Sequence, residues 1–384
     1  MRRHYGMDWL RIGAFGLLIL YHIGMVFVPW PFHVKTAQPF DAAKVPMVLT
    51  NAWRLTLLFV VSGYASRALF ARSKSLSAFL RNRNLRLLLP LAFGVTVIVP
   101  PQSWVQLVTQ AGYPHGFGYF WLHDFFRFGK VHGLALPAWN HLWFVGYLWL
   151  YTLALGLLLL LPQRERLQRA FDVAFGGWRA VILPIAWLLL TQVELFTRWG
   201  DTQDVIGDGI AHLAYFPAFL FGFGMAASFP VMRAIGHYWR PCAVVAALCI
   251  AFAMAVEIGW PGNALPPPPL SDLYQGLRYV ETWAAIVALI GLAERYWNHD
   301  LPIRATLTEA IFPFYLVHQT IIVVTEYALR PLSLGPAAEF AVLVVATVLG
   351  CLAFYYGGRG IGWLRPLIGL RAAKRVVEAR PATG

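Results

Sequence analysis

Charge is scarce in this chain: 13% of its 384 residues are charged, and only 18 are acidic. A soluble globular domain carries about a quarter charged residues, so a water-exposed surface of ordinary size is excluded. Cysteine is nearly absent too. Cys242, Cys249 and Cys351 all fall in apolar segments, where they read as small packed side chains rather than a disulfide framework or a metal site. No internal repeat stands out, which gives little support to an inverted-repeat transporter. No stretch has the composition of a separate soluble domain.

Apolar runs are what the chain has in quantity. It is 59% hydrophobic with a mean hydropathy of +0.58, and runs near 20 apolar residues are long enough to cross a bilayer as helices. The expected fold is an all-α polytopic transmembrane helix bundle. Ten spans are expected, roughly at 9–29, 52–71, 86–103, 141–161, 180–197, 209–229, 241–260, 275–294, 307–328 and 338–358. Lys and Arg concentrate in alternate connections, including 72–85, 162–179 and 230–240. That asymmetry predicts cytoplasmic N- and C-termini. A transmembrane domain is expected over 1–360 and a basic cytoplasmic tail over 361–384. The net charge of +13 therefore faces lipid headgroups and the cytoplasm, and no nucleic-acid partner is inferred.

Ionisable residues inside such runs are the default functional candidates. Arg11 and His22 share the first span. Eleven helical steps return to nearly the same face and cover about 16 Å. Arg11 then lies near one membrane surface and His22 deep in the bilayer. Asp8, three residues before Arg11, can pair with it. Arg11 also reads as a snorkelling anchor, and His22 as a hydrogen-bonded core histidine. Ser62 and Gly63 serve either close helix packing or a substrate channel. Arg81, Arg83 and Arg86 are expected in an inner loop, as positive-inside charge or as phosphate ligands. His141 and Trp143 open the fourth span at the outer surface, either as part of an aromatic belt or as contacts to a sugar. His318, buried near the end of the chain, can pair with a neighbouring helix.

Four strings in order carry a resemblance. They are Arg11-x10-His22, Phe59-Val60-Val61-Ser62-Gly63-Tyr64, the Arg81–Arg86 run before Leu87 and Pro90, and Phe314-Tyr315-Leu316-Val317-His318. Together they resemble the acyltransferase-3 family of integral membrane proteins, over about residues 7–360. Leu58 stands where the family pattern has a phenylalanine, and Tyr64 where Phe is commoner. Met7-Asp8-Trp9-Leu10-Arg11, Tyr21-His22 and Phe27-Val28-Pro29-Trp30 look like a branch associated with succinylation of osmoregulated periplasmic glucans.

The resemblance implies a multi-pass enzyme of the bacterial inner membrane. It implies acyl-CoA, as succinyl-CoA or acetyl-CoA, as co-substrate, with no permanently bound cofactor and no metal. Arg11, Arg81, Arg83 and Arg86 would hold the coenzyme at the cytoplasmic face. His22 would act as general base, with Ser62 on the donor or the developing oxyanion. His141 and Trp143 would face the acceptor, a periplasmic glucan. Asp8, Tyr21 and His318 would support this set. An O-acetyltransferase of lipopolysaccharide, exopolysaccharide or another envelope glycan remains an alternative, as does a non-catalytic membrane transporter.

Overall fold

A computed structural model describes residues 4–195, 204–261, 264–332 and 334–372. The first half contains α1 (Tyr5–Gly24), α2 (Lys44–Asn51), α3 (Arg54–Ala71), α4 (Leu76–Phe93), α5 (Pro100–Ala111), a single helical turn α6 (Phe117–Tyr119) and α7 (Trp143–Leu158). Then come α8 (Arg164–Ala174), α9 (Arg179–Leu188), α10 (Gly209–Met225), α11 (Phe229–Gly259), α12 (Pro268–Tyr296), α13 (Pro302–Leu329), α14 (Pro336–Gly360) and α15 (Leu364–Leu367). The sheet present among the described residues is one antiparallel hairpin, β1 (Gly129–Val131) with β2 (Leu134–Leu136), in the connection before α7. Its tight turn uses left-handed backbone at His132 and Gly133.

Local chemistry sets the helix ends. Ser75, Asp208 and Ser228 each accept a backbone N–H of the first turn they precede. Proline stands in the first turn of α11, α12, α13 and α14, where its missing N–H is harmless. Each of the ten expected apolar stretches overlaps a helix. By length and composition, seven helices among the described residues could cross a membrane, or eight if α8 and the α9 segment, bent by 92°, form one span.

Three expectations change. The basic run at 81–86 is helical and belongs to α4, because the Ser75 cap starts that helix ten residues before the apolar run. The connection expected at 230–240 is likewise the first part of α11, begun by Ser228. The tail expected from 361 does not simply leave the bundle: α15 packs back against α4 and α14, with Ile368 and Leu370 buried. Residues 373–384 of that tail lie outside the described residues.

Between helices in lipid, close van der Waals packing replaces the hydrophobic effect. Helix α1 runs through the middle of the bundle, against α3, α12, α13 and α14. At Gly6 a Cβ would sit 2.6 Å from the Ala293 carbonyl oxygen of α12. The α3–α10 pair is held similarly. A Cβ at Gly63 would collide with the Phe219 carbonyl, and one at Gly222 with the Val60 carbonyl. Gly63 of the Ser-Gly string is therefore a packing residue. It fixes how far α3 stands from α10, and so where Ser62 and Arg54 lie.

Candidate functional site

Two cavities enter the bundle from opposite ends, named here inner (where α1 begins) and outer. The inner cavity has a volume of about 1150 Å³. Arg11, Arg83, Arg86, Arg365 and Arg371 line it. Arg11 donates to the Thr308 carbonyl at 3.3 Å, and its buried Nε has no hydrogen-bond partner. Arg83 reaches across from α4 to Thr152 Oγ1 on α7, with Nη2 at 3.3 Å and Nε at 3.4 Å. The lining carboxylates are already engaged: Asp8 accepts from Arg304 at 2.7 Å, and Glu309 lies 3.6 Å from Arg365. The chamber thus keeps an excess of guanidinium groups, which suits a multiply charged phosphate ligand.

The outer cavity has a volume of about 780 Å³, with Tyr21, His22, His141 and Trp143 in its wall. Hydrogen bonding fixes the imidazoles. His318 Nδ1 lies 2.7 Å from the Tyr315 carbonyl oxygen, which can only accept, so Nδ1 carries the proton. His318 Nε2 is then an acceptor. It lies 2.9 Å from His22 Nδ1, which must donate. The remaining lone pair of His22 is on Nε2, on a ring that faces the cavity. His141 follows the same logic: Nε2 donates to the Leu316 carbonyl at 3.2 Å, and Nδ1 is a buried acceptor without a partner. The His141 and His318 ring centroids are 5.0 Å apart, so three imidazoles form one cluster.

A buried amide network steadies the far wall. His33 Nδ1 donates to Gln106 Oε1 at 2.6 Å, while Gln319 Nε2 donates to His33 Nε2 at 2.9 Å. Gln319 and Asn140 both donate to Gln102 Oε1 at 3.0 Å. Burial holds the His33 imidazole down at about 4, so it stays neutral at ordinary pH and serves as a fixed strut.

Phe144 and Tyr315 line both cavities. Their ring centroids are 6.0 Å apart, and Phe15 closes on Tyr315 at 5.5 Å. This aromatic partition separates an arginine chamber from an imidazole chamber. Tyr315 is itself pinned by a hydrogen bond from its hydroxyl to the His141 carbonyl.

The structure divides the sequence candidates between the two chambers. Arg11, Arg83, Arg86, Asp8 and Ser62 line the inner one; Tyr21, His22, His141 and Trp143 line the outer one. Ser62 and His22 therefore stand on different sides of the partition. Arg81 lines neither cavity, because on α4 it points away from the face that carries Arg83 and Arg86. Asp8 forms an ion pair with Arg304 at 2.7 Å, a partner 296 residues away in sequence. Sequence reasoning missed Arg365 and Arg371, assigned to a tail, and the His33–Gln319–Gln102 network. It also missed Arg54 in the outer chamber. A polar residue in an apolar run is the signal that would have found Gln102 and Gln319.

A family model for an acyltransferase domain matches residues 4–356. Among curated proteins, the chain is similar to glucans biosynthesis protein C of Salmonella gallinarum, 27% identical over 235 residues, with 57% of each chain covered. It is also similar to glucans biosynthesis protein C of Escherichia coli strain SMS-3-5, 27% identical over 269 residues, with 67% of each covered. The chain thus spans little over half the length of the Salmonella relative. No solved structure matches.

Proposed function

The chain belongs to the acyltransferase-3 family and is a multi-pass membrane acyltransferase, and on that premise we propose that it moves an acyl group from cytoplasmic acyl-CoA to a hydroxyl of an envelope glycan. The names of the similar proteins favour a glucan as acceptor. Succinyl is the acyl group put forward, and the bacterial inner membrane the location. The observation that carries the reading is the pairing of chambers: guanidinium groups on one side of Phe144 and Tyr315, an oriented imidazole on the other.

The coenzyme phosphates bind among Arg11, Arg83 and Arg86, where charge-assisted hydrogen bonds are available. The slim pantetheine arm extends past Phe144 and Tyr315, bringing the thioester toward His22. The acceptor hydroxyl enters from the outer side, against Trp143 and His141. Its oxygen attacks the thioester carbonyl carbon while His22 Nε2 takes the hydroxyl proton. The carbon–sulfur bond breaks, and the proton passes from His22 to the departing sulfur. An ester and a free coenzyme thiol result, and His22 returns to its starting tautomer. His318 keeps Nδ1 of His22 protonated throughout and so keeps the lone pair aimed at the reaction.

Mass spectrometry of envelope glycans from cells with and without the protein tests this. The expected result is a succinyl-sized increment on a periplasmic glucan that depends on the protein. An acetyl-sized increment would replace the donor, and an increment on another glycan the acceptor. No acyl change on any glycan would contradict the reading.

A further inference from the structure

The outer chamber contains a cation that the transfer step does not use. Arg54 opens α3, is 4% exposed, and lines the same cavity as His22. Its guanidinium carbon stands 3.5 Å from the centroid of the Tyr21 ring. Tyr21 covers the flat face and leaves the in-plane N–H groups to act as donors. Two of the nitrogens, Nε and Nη1, are buried with no hydrogen-bond partner.

Among the described residues, Glu281 on α12 is held by Arg278 at 2.6 Å, and no Asp or Glu lines the outer cavity. The second cation there, Lys35, is satisfied by the Met25 and Val28 carbonyls at 2.5 and 2.7 Å. A buried guanidinium that has an aromatic ring beside it but two N–H-bearing nitrogens unsatisfied is unfavourable unless an anion joins it. A carboxylate is the planar anion that matches its donors.

Position says which carboxylate. Passing outward along α3, Ser62 and Val61 line the inner cavity, then Leu58, Leu55 and Arg54 the outer one. At 1.5 Å per residue Arg54 stands about 12 Å beyond Ser62. An acyl chain delivered from inside would meet His22 with its carbonyl and point its far end toward Tyr21 and Arg54.

We propose that Arg54 holds a free carboxylate at the far end of the transferred acyl group, making the enzyme selective for a half-acid chain of the succinyl class over a neutral acetyl chain. This rests on the reading of the two chambers as donor site and transfer site. It gives Arg54 the role of a specificity residue, and the neutral acetyl chain leaves its donors unpaired.

The test is calorimetric binding of succinyl-CoA, acetyl-CoA and free coenzyme A to the full-length protein in detergent. Wild type should bind succinyl-CoA more tightly than acetyl-CoA by about tenfold or more, the scale of one hydrogen bond between charged groups. Arg54→Gln should abolish that preference by weakening succinyl-CoA. Arg54→Lys, which keeps the charge, should retain part of it and carries the test if the glutamine variant does not fold. Equal binding of the two esters by wild type would overturn the role of Arg54 while leaving the donor site standing. So would a preference that survives in Arg54→Gln, or an equal loss of both esters in that variant. Failure of wild type to bind either ester or coenzyme A would overturn the donor reading itself, and the inference with it.

Discussion

The inner and outer chambers are built on opposite principles. The inner one collects several guanidinium groups at one end of the bundle, where long side chains from α1, α4 and the segment after α14 converge and charge rather than one exact geometry does the binding. The outer one holds imidazoles and amides whose protons are placed by a chain of hydrogen bonds, His22 to His318 to the Tyr315 carbonyl. Recognising a coenzyme head by charge tolerates looseness. Taking a proton from a hydroxyl at the moment of attack does not, because the lone pair must be on one particular nitrogen. Separation by Phe144 and Tyr315 lets each chamber meet its own requirement.

That contrast is broken most severely at His22. His22→Ala should lower acyl transfer by about 10²–10⁴-fold, the usual contribution of a general base, in an assay of acyl transferred to envelope glycan. A transport activity would change only modestly. His318→Ala should have a smaller effect in the same assay, about 10- to 100-fold, the scale seen for partners that orient metal-bound histidines from behind. Loss of His318 leaves His22 present but free to take the wrong tautomer, so equal wild-type rates would refute the orienting role.

In the inner chamber, Arg83→Ala and Arg86→Ala should each weaken acyl-CoA binding by about tenfold. Added salt should narrow the difference from wild type, because these contacts are partly solvated. Unchanged affinity would leave the arginines with a role in topology only.

The smallest expected effect is a pH dependence. Burial pulls the Lys35 ammonium from its ordinary 10.5 down to about 8. Between those values the unfolded chain binds more protons than the folded one, so this group's contribution to stability rises with pH. Ligand binding goes the other way: above about 8 the outer chamber loses one of its positive charges. Affinity for succinyl-CoA should therefore fall a few-fold between about pH 7 and about pH 9, with acetyl-CoA unaffected. Lys35→Met should flatten the profile, and a profile unchanged in that variant would assign the titration elsewhere.

Much of this was legible in the sequence. Each of the ten expected apolar runs overlaps a helix, while seven or eight segments among the described residues are long and apolar enough to span a bilayer. Helical periodicity also put Arg11 and His22 on one face of α1, and the structure sets Arg11 in the wall of the inner chamber and His22 in that of the outer one. The division into two chambers was not legible, because it depends on which side chains close across the bundle axis. Arg54 shows the difficulty. An arginine at the edge of an apolar run looks like an interfacial anchor, and only the folded bundle, with the Tyr21 ring of α1 against the guanidinium, makes it buried. Arg365 and Arg371 were hidden differently: a short basic segment after the last apolar run reads as a tail, while Ile368 and Leu370 fold it back onto the bundle. The Asp8–Arg304 pair joins residues far apart in sequence, and no local spacing rule reaches it.

The division of labour is tested most directly by measuring acyl-CoA affinity on two proteins side by side, His22→Ala and Arg83→Ala. The account predicts that His22→Ala binds donor as wild type does while failing to transfer it, and that Arg83→Ala binds donor weakly. Loss of donor affinity in His22→Ala as large as that in Arg83→Ala would contradict the separation of the two chambers.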